Sequence, residues 1–352
     1  MHKIIFIVLS LFATSSFATE LVDIYQSQLA VANQESLERE RVSPDILRQV
    51  LLKVVGDRSV LDAANLTPIL SDVGSLVQQS QYLRLSETVD DLMQPDQLAL
   101  SLSFNEAAVN QTLTNNGLPI WSKSRPDVMI WVAIDDGLAR RILTADDDAS
   151  HYTYSLERAA ARRGLPIVLP IMDLQDQSQI SPDVLWTGVA GPVEQASQRY
   201  GVKIILLARI TILTNDMVHI DWQSMGNGAT EQWQSEGEVS PTLATGIDEF
   251  TDRLARGLTQ VVTSQDQSPI SSLEINSVRD YADYSRTMTY LASLQYVSDL
   301  QMVTLEDDKL VVTMQIKGDK AVLTRTLAID HVIEQESAAG TVDDVMHYRL
   351  LP

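Results

Sequence analysis

Val128-Met129-Ile130-Trp131-Val132-Ala133-Ile134 is an unbroken apolar run, and Ile204-Ile205-Leu206-Leu207 repeats it downstream. A strand that is apolar on both of its alternating faces must be covered on both sides, which places these segments inside a sheet flanked by helices. The intervening sequence supports this. A helix ends at Arg162-Arg163-Gly164, with cations in its last turn and glycine as the stop. Residues 166–174 return as a strand, Pro192 opens a helix that Gly201 closes, and residues 203–214 form a third strand. Asn215-Asp216 and Gly226-Asn227-Gly228 are turn signals around an alternating segment, and a last strand runs through Trp233. A helix with Leu243, Ile247, Phe250, Leu254 and Leu258 on one face completes the unit. The predicted order is β-α-β-α-β-β-β-α.

Polar breaks bound this unit on both sides. Ser122-Lys123-Ser124-Arg125-Pro126 precedes it, and Thr263-Ser264-Gln265-Asp266-Gln267-Ser268-Pro269 has linker composition. The expected organisation is a signal segment 1–18, an α+β domain 19–125, an α/β domain 126–263, a linker 264–269 and a last domain 270–352.

In the first domain, residues 22–31 are strand-like, and Ser43-Pro44 is a helix start signal. Ile46, Leu47, Val50, Leu51, Val54 and Val55 then recur at helical spacing up to Gly56. Thr67-Pro68 predicts a second helix through Val77. Leu98, Leu100, Leu102 and Phe104 alternate as a half-buried strand, and Asn105 caps a short helix ended by Gly117.

In the last domain, a strand from Ile270 and a helix over 280–294 lead to a hairpin of 297–305 and 310–316. A helix over 319–333 and a strand through Val345 to Leu350 follow, giving the ferredoxin-like plan β-α-β-β-α-β. The fold class is thus α/β and α+β, in three small mixed domains.

Met1-His2-Lys3, an apolar core from Ile4 to Ala13 and Ser16 and Ala18 at small-residue positions read as an exported signal cleaved after Ala18. The apolar run is about half of the ~20 residues that a spanning helix needs. The expected location is the periplasm, with no membrane insertion after cleavage. The net charge of −21 argues against nucleic acid as a partner. The chain has no cysteine, so disulfides, thiolate metal sites and a cysteine nucleophile are excluded.

The middle domain resembles the amino-terminal domain of the Tol-Pal propeller protein and its relatives, the curli secretion channel and lipoprotein activators of penicillin-binding proteins. The resemblance is carried by Arg125-Pro126, Arg163-Gly164-Leu165 and Tyr200-Gly201-Val202-Lys203-Ile204-Ile205-Leu206-Leu207. Over nearly its full length the chain resembles an exported gammaproteobacterial family of unknown function numbered twenty sixty-six. That resemblance rests on the stretch from Ile46 to Gly56, on Leu118-Pro119-Ile120-Trp121, on Arg125-Pro126 and on Asp280-Tyr281-Ala282-Asp283-Tyr284. It implies a fold and an address but no site residues.

No nucleophile elbow, phosphate loop, dinucleotide fingerprint or paired-histidine zinc motif is present. Gly188-Val189-Ala190-Gly191 reads as a loop leading into a helix. The candidate metal ligands are Asp135, Asp136, Asp146, Asp147 and Asp148, whose carboxylates suit a hard cation at the carboxyl end of a central strand. The same cluster also reads as a solvated acidic turn. His151, His219, His331 and His347 show no ligand spacing. Tyr281 and Tyr284 fit the buried face of their helix or an exposed recognition face. No cofactor and no catalytic residue is expected. The expected function is a non-catalytic periplasmic adaptor or assembly factor with an envelope protein partner. A binding module for a small ligand or cell-wall fragment is the alternative, and a carboxylate-based enzyme the third reading.

Overall fold

The computed structural model describes residues 23–85, 97–147, 151–214, 217–226, 230–259, 270–294, 296–330, 332–336 and 345–351. The signal segment and the 264–269 linker lie outside these residues. The N-terminal unit comprises β1 (Gln26–Ala30), α1 (Ser36–Val55), α2 (Arg58–Ala63), α3 (Thr67–Ser71), α4 (Val73–Leu76), β2 (Val77–Leu85), β3 (Gln97–Phe104) and α5 (Glu106–Asn115). Its antiparallel sheet has the order β1-β3-β2. α1 buries Val42, Ile46, Leu47, Val50, Leu51, Val54 and Val55 against it, as the helical spacing requires.

Two expectations for this unit are corrected. α1 begins at Ser36, not at Ser43, and carries Pro44 in its interior. The first turns are built from good helix formers (Leu37, Glu38, Arg39, Glu40, Arg41), which tolerate the hydrogen bond that proline removes. The helix predicted from Thr67 breaks at Asp72 (φ −112°, ψ 31°), and the chain turns into β2 at Val77.

The middle unit contains β4 (Val128–Asp135), β5 (Arg140–Ile142), α6 (His151–Arg163), β6 (Ile167–Val168), α7 (Leu174–Gln179), α8 (Pro182–Thr187), α9 (Ala190–Ser197), β7 (Ile204–Ile212), β8 (Met217–Met225), β9 (Glu231–Glu238) and α10 (Val239–Leu258). The sheet order is β5-β4-β7-β8-β9, with β6 added parallel to β4. β4 and β7 are parallel neighbours and both interior, as their apolar runs predict. Val128, Ile130, Val132 and Ile134 pack under α6 and α10, whereas Met129, Trp131 and Ala133 face α8 and α9. α10 lies so close to β8 that a Cβ at Gly246 would sit 2.1 Å from the Trp222 ring. The predicted order is present, but the strand expected over 166–174 shrinks to β6, because Leu174 opens α7; β5, α7 and α8 are additions too short to show a period.

The C-terminal unit is β10 (Ile270–Asn276), α11 (Tyr281–Ser293), β11 (Val297–Glu306), β12 (Lys309–Ile316), α12 (Lys320–Ile329), β13 (Ile333–Gln335) and β14 (Val345–Leu350). The sheet order is β11-β12-β10-β14-β13. The ferredoxin-like sequence of elements is present with one strand more. α12 stops at Ile329, so that Ile333 starts β13, and the added reversal makes β14 parallel to β10. Of the two α11 tyrosines singled out in the sequence, Tyr284 packs against the core, while Tyr281 is 81% exposed.

Candidate functional site

The acidic residues singled out in the sequence do not converge. Asp135 accepts a hydrogen bond from Gly137 N (2.8 Å) and pairs with Arg140 (2.9 Å). Asp136 accepts from Leu138 N and Ala139 N, both at 2.9 Å. These backbone donors, aided at Asp135 by Arg140, hold both carboxyls below the usual range and close the β4–β5 turn. Asp147 accepts from Thr144 N at 3.3 Å and faces Arg141 at 3.6 Å. Asp146 is exposed, and Asp148 lies outside the described residues. Among the described residues no three His, Cys, Asp or Glu side chains are placed to hold a metal ion. Replacing Asp135, Asp136, Asp146, Asp147 and Asp148 together by Asn is expected to leave the fold intact, since solvent screens exposed pairs and they add little to stability. Thermal melting with millimolar calcium and with chelator checks this. A calcium-dependent rise in wild type that vanishes in the variant would establish a site there.

Of the histidines, His219 lies between Asp221 (3.7 Å) and Glu236 (3.3 Å), and His347 lies 3.3 Å from Glu274. His151 is exposed, its ring tilted by 36° against that of Tyr152 at 4.1 Å. His331 is outside the described residues.

The most strongly organised polar chemistry lies elsewhere, at the joints between units. Arg163, fully buried at the end of α6, donates to Asp248 Oδ1 (3.1 Å), Asp252 Oδ1 (2.7 Å), Asp248 O and Gly56 O. The same two carboxylates of α10 receive Arg58 from the N-terminal unit and Arg162 from α6. Asp57 receives Arg256 at 2.8 Å. Gly56 sits at the centre with φ 81°, and a Cβ there would lie 2.6 Å from Trp121 and 2.7 Å from Ala255.

Ser122-Lys123-Ser124-Arg125-Pro126, between the N-terminal and middle units, is a strap. Arg125 stacks on Trp121 at 4.1 Å. It donates to Arg163 O (2.8 Å), Gly164 O (2.9 Å) and Lys53 O, so one guanidinium serves the carboxyl ends of two helices. Burial pulls the Arg125 pKa down to about 9 and that of Lys53 down to about 8. The C-terminal unit joins the same strap. Tyr290 and Ser124 both donate to Asp330 Oδ2 (2.6 and 3.2 Å), and Tyr296 donates to Leu258 O. Burial raises the Asp330 pKa, and the hydrogen bonds from Tyr290 and Ser124 oppose that rise. A saturated network also pins the loop before α7, where buried Asp176 accepts from Met172 N, Arg199 and Tyr200.

A family described as "Domain of unknown function (DUF8605)" matches residues 18–122. Its number and its coverage differ from the near full-length resemblance read in the sequence, and it brings no activity. No curated protein matches the chain. Among solved structures, the LpoB C-terminal domain from Salmonella enterica is 16% identical, with a TM-score of 0.23 over 37% of this chain and 92% of its own. An uncharacterized protein is 12% identical, with a TM-score of 0.18 over 38% of this chain and 90% of its own. At such scores neither likeness bears on function.

Beyond the matched N-terminal domain, one surface is chemically unfinished. β11 is an edge strand, paired only with β12 among the described residues. Met302, Val303 and Leu305 are exposed along it, at 49%, 57% and 44%. Natural proteins usually blunt such an edge with charge, proline or bulges. Here the register shifts between Ser298 and Gln301 and between Met302 and Thr304 provide bulges, but the apolar side chains remain bare. The sequence showed β11 only as half of a hairpin, because exposure of an edge depends on which strands never arrive beside it. Among the described residues no helix is long and apolar enough to cross a membrane.

Proposed function

We propose that this chain is a non-catalytic adaptor of the bacterial cell envelope that receives an extended segment of a partner protein along β11. The observation carrying this reading is that unpaired edge with its row of Met302, Val303 and Leu305. Strand addition uses main-chain hydrogen bonds for affinity and alternate side chains for selectivity, and this edge offers both. The Arg58 ion pairs with Asp248 and Asp252 tie the N-terminal unit to the middle one, and hydrogen bonds from Ser124 to Asp330 and from Tyr296 to Leu258 O tie in the C-terminal unit, which makes a stiff body suited to holding such an edge in place. The charge of −21 favours a less acidic partner over a second copy, because two such chains repel.

The test is site-specific photocrosslinking in cells, with the probe at Val303, at Leu305 and, as control, at exposed Leu174. A discrete product shared by the first two positions and missing from the third is expected. Lysine at Met302 should remove the same product. Identical products from all three positions, or crosslinks between copies of this chain only, would sink the reading.

A further inference from the structure

A cleft of ≈ 470 Å³ opens in the N-terminal unit between α1, the α3–α4 break and β2–β3. This volume lies in the range of small-molecule sites. Its origin is visible in the chain. Pro44 has no N–H, so the carbonyl of Glu40 lacks the donor four residues on, in a helix turn that lines the cleft. Across from it, Gly74 contributes no side chain, and a Cβ built there meets nothing within 4 Å. The floor is aliphatic, with Val73 and Leu102 buried and Leu70 and Val77 half-buried. At the mouth stand Arg39 and Glu40, both exposed. Neither is in an ion pair with another described residue, although most other arginines of the chain are paired.

We infer that this cleft binds a short zwitterionic peptide carrying an aliphatic side chain. Arg39 receives the terminal carboxylate, for which the planar guanidinium fork is suited. The Glu40 carboxylate, an acceptor beside Arg39, receives the terminal ammonium. The aliphatic side chain lies on Val73, Val77 and Leu102. One cation beside one anion selects a ligand with both charges, where a simple anion would meet Glu40 and a simple cation would meet Arg39. The site is independent of the β11 edge, which belongs to another unit.

The probe is the dipeptide Ala-Leu, titrated by calorimetry into the full processed chain, with N-acetyl-Ala-Leu and Ala-Leu amide alongside. A Kd of about 1 mM or tighter is expected for Ala-Leu, weakened about tenfold or more by blocking either end. Arg39→Gln should remove the penalty for amidation alone, and Glu40→Gln the penalty for acetylation alone. Gly74→Trp fills the cleft from a position with open space around it and should abolish binding with the melting temperature unchanged. If Gly74→Trp fails to fold, Gly74→Leu supplies the same block with a smaller group. No heat up to 10 mM Ala-Leu would overturn the inference, as would binding that is indifferent to both end groups or to the filled cleft. Those outcomes would leave Arg39 and Glu40 as solvated charges on a helix.

Discussion

Arg163→Ala is expected to cost about 3–5 kcal/mol of stability, the scale on which removing one partner of a buried ionic cluster acts. Arg163 is fully enclosed, and both of its terminal nitrogens are committed, to Asp248, Asp252 and the carbonyl of Gly56. Alanine leaves the two carboxylates of α10 short of a cation in a place water reaches poorly. Arg58 and Arg162 stay beside them, but both lie nearer the solvent and approach from the outer side. Arg163→Lys keeps the charge and loses the fork, so it should fall between the two. Because the cluster joins α6 and α10 to the turn at Gly56, the alanine variant should also melt in two steps, with the N-terminal unit released first. Urea unfolding and calorimetry measure both effects. A loss below about 1 kcal/mol with one retained transition would mean that apolar contacts alone hold the units together.

The features legible in the sequence are those with a strong local signal. β4 and β7 announce themselves as unbroken apolar runs, α6 by the cations and glycine at its end and α10 by its repeating apolar face, and Gly56, Gly164 and Gly201 mark real helix ends. β2 is not legible in the sequence, since Val77-Gln78-Gln79-Ser80-Gln81 is too polar to show alternation. Ser43-Pro44 has the chemistry of a helix cap and so points to the wrong start of α1, which only the tertiary setting extends back to Ser36. The joints were not legible for a different reason. Arg163 reads locally as a cation in the last turn of a helix, and Arg125 as a polar residue in a linker. What distinguishes them is partners far along the chain: Gly56, Asp248 and Asp252 for the first, and Lys53 for the second. The acidic run near Asp135 was conspicuous for the opposite reason, being local, and its carboxylates turn out to serve the local turn. Sequence patterns thus located the sheets of this protein better than the contacts that fasten its units.

Trp131→Ala is expected to cost about 3–5 kcal/mol, as for a large aromatic removed from a closed interior. The ring lies on the face of β4 opposite to the α6 and α10 joint, fully buried among Leu185, Val193, Ala196 and Leu207. It meets Tyr200 edge-on at 6.4 Å, and its Nε1 donates to Ser197 Oγ at 2.9 Å. Ser197 in turn donates to Val193 O at 2.7 Å, so deleting the indole orphans no donor. The loss is then packing and cavity, with no added polar penalty. Trp131→Phe retains most of the volume and forfeits that one hydrogen bond, which sets its cost nearer 1–2 kcal/mol, roughly. Trp131 and Arg163 share no contact and belong to different faces of one sheet, so the double variant should show the sum of the two single losses to within about 0.5 kcal/mol. Denaturant unfolding of the set checks the ranking and the additivity together. A loss below about 1 kcal/mol for Trp131→Ala would mean that the indole is accessible and free to stack on a ligand. A strongly non-additive double variant would instead mean that the sheet transmits strain from one face to the other, and the stiff-body argument for the adaptor would then have to start from that coupling.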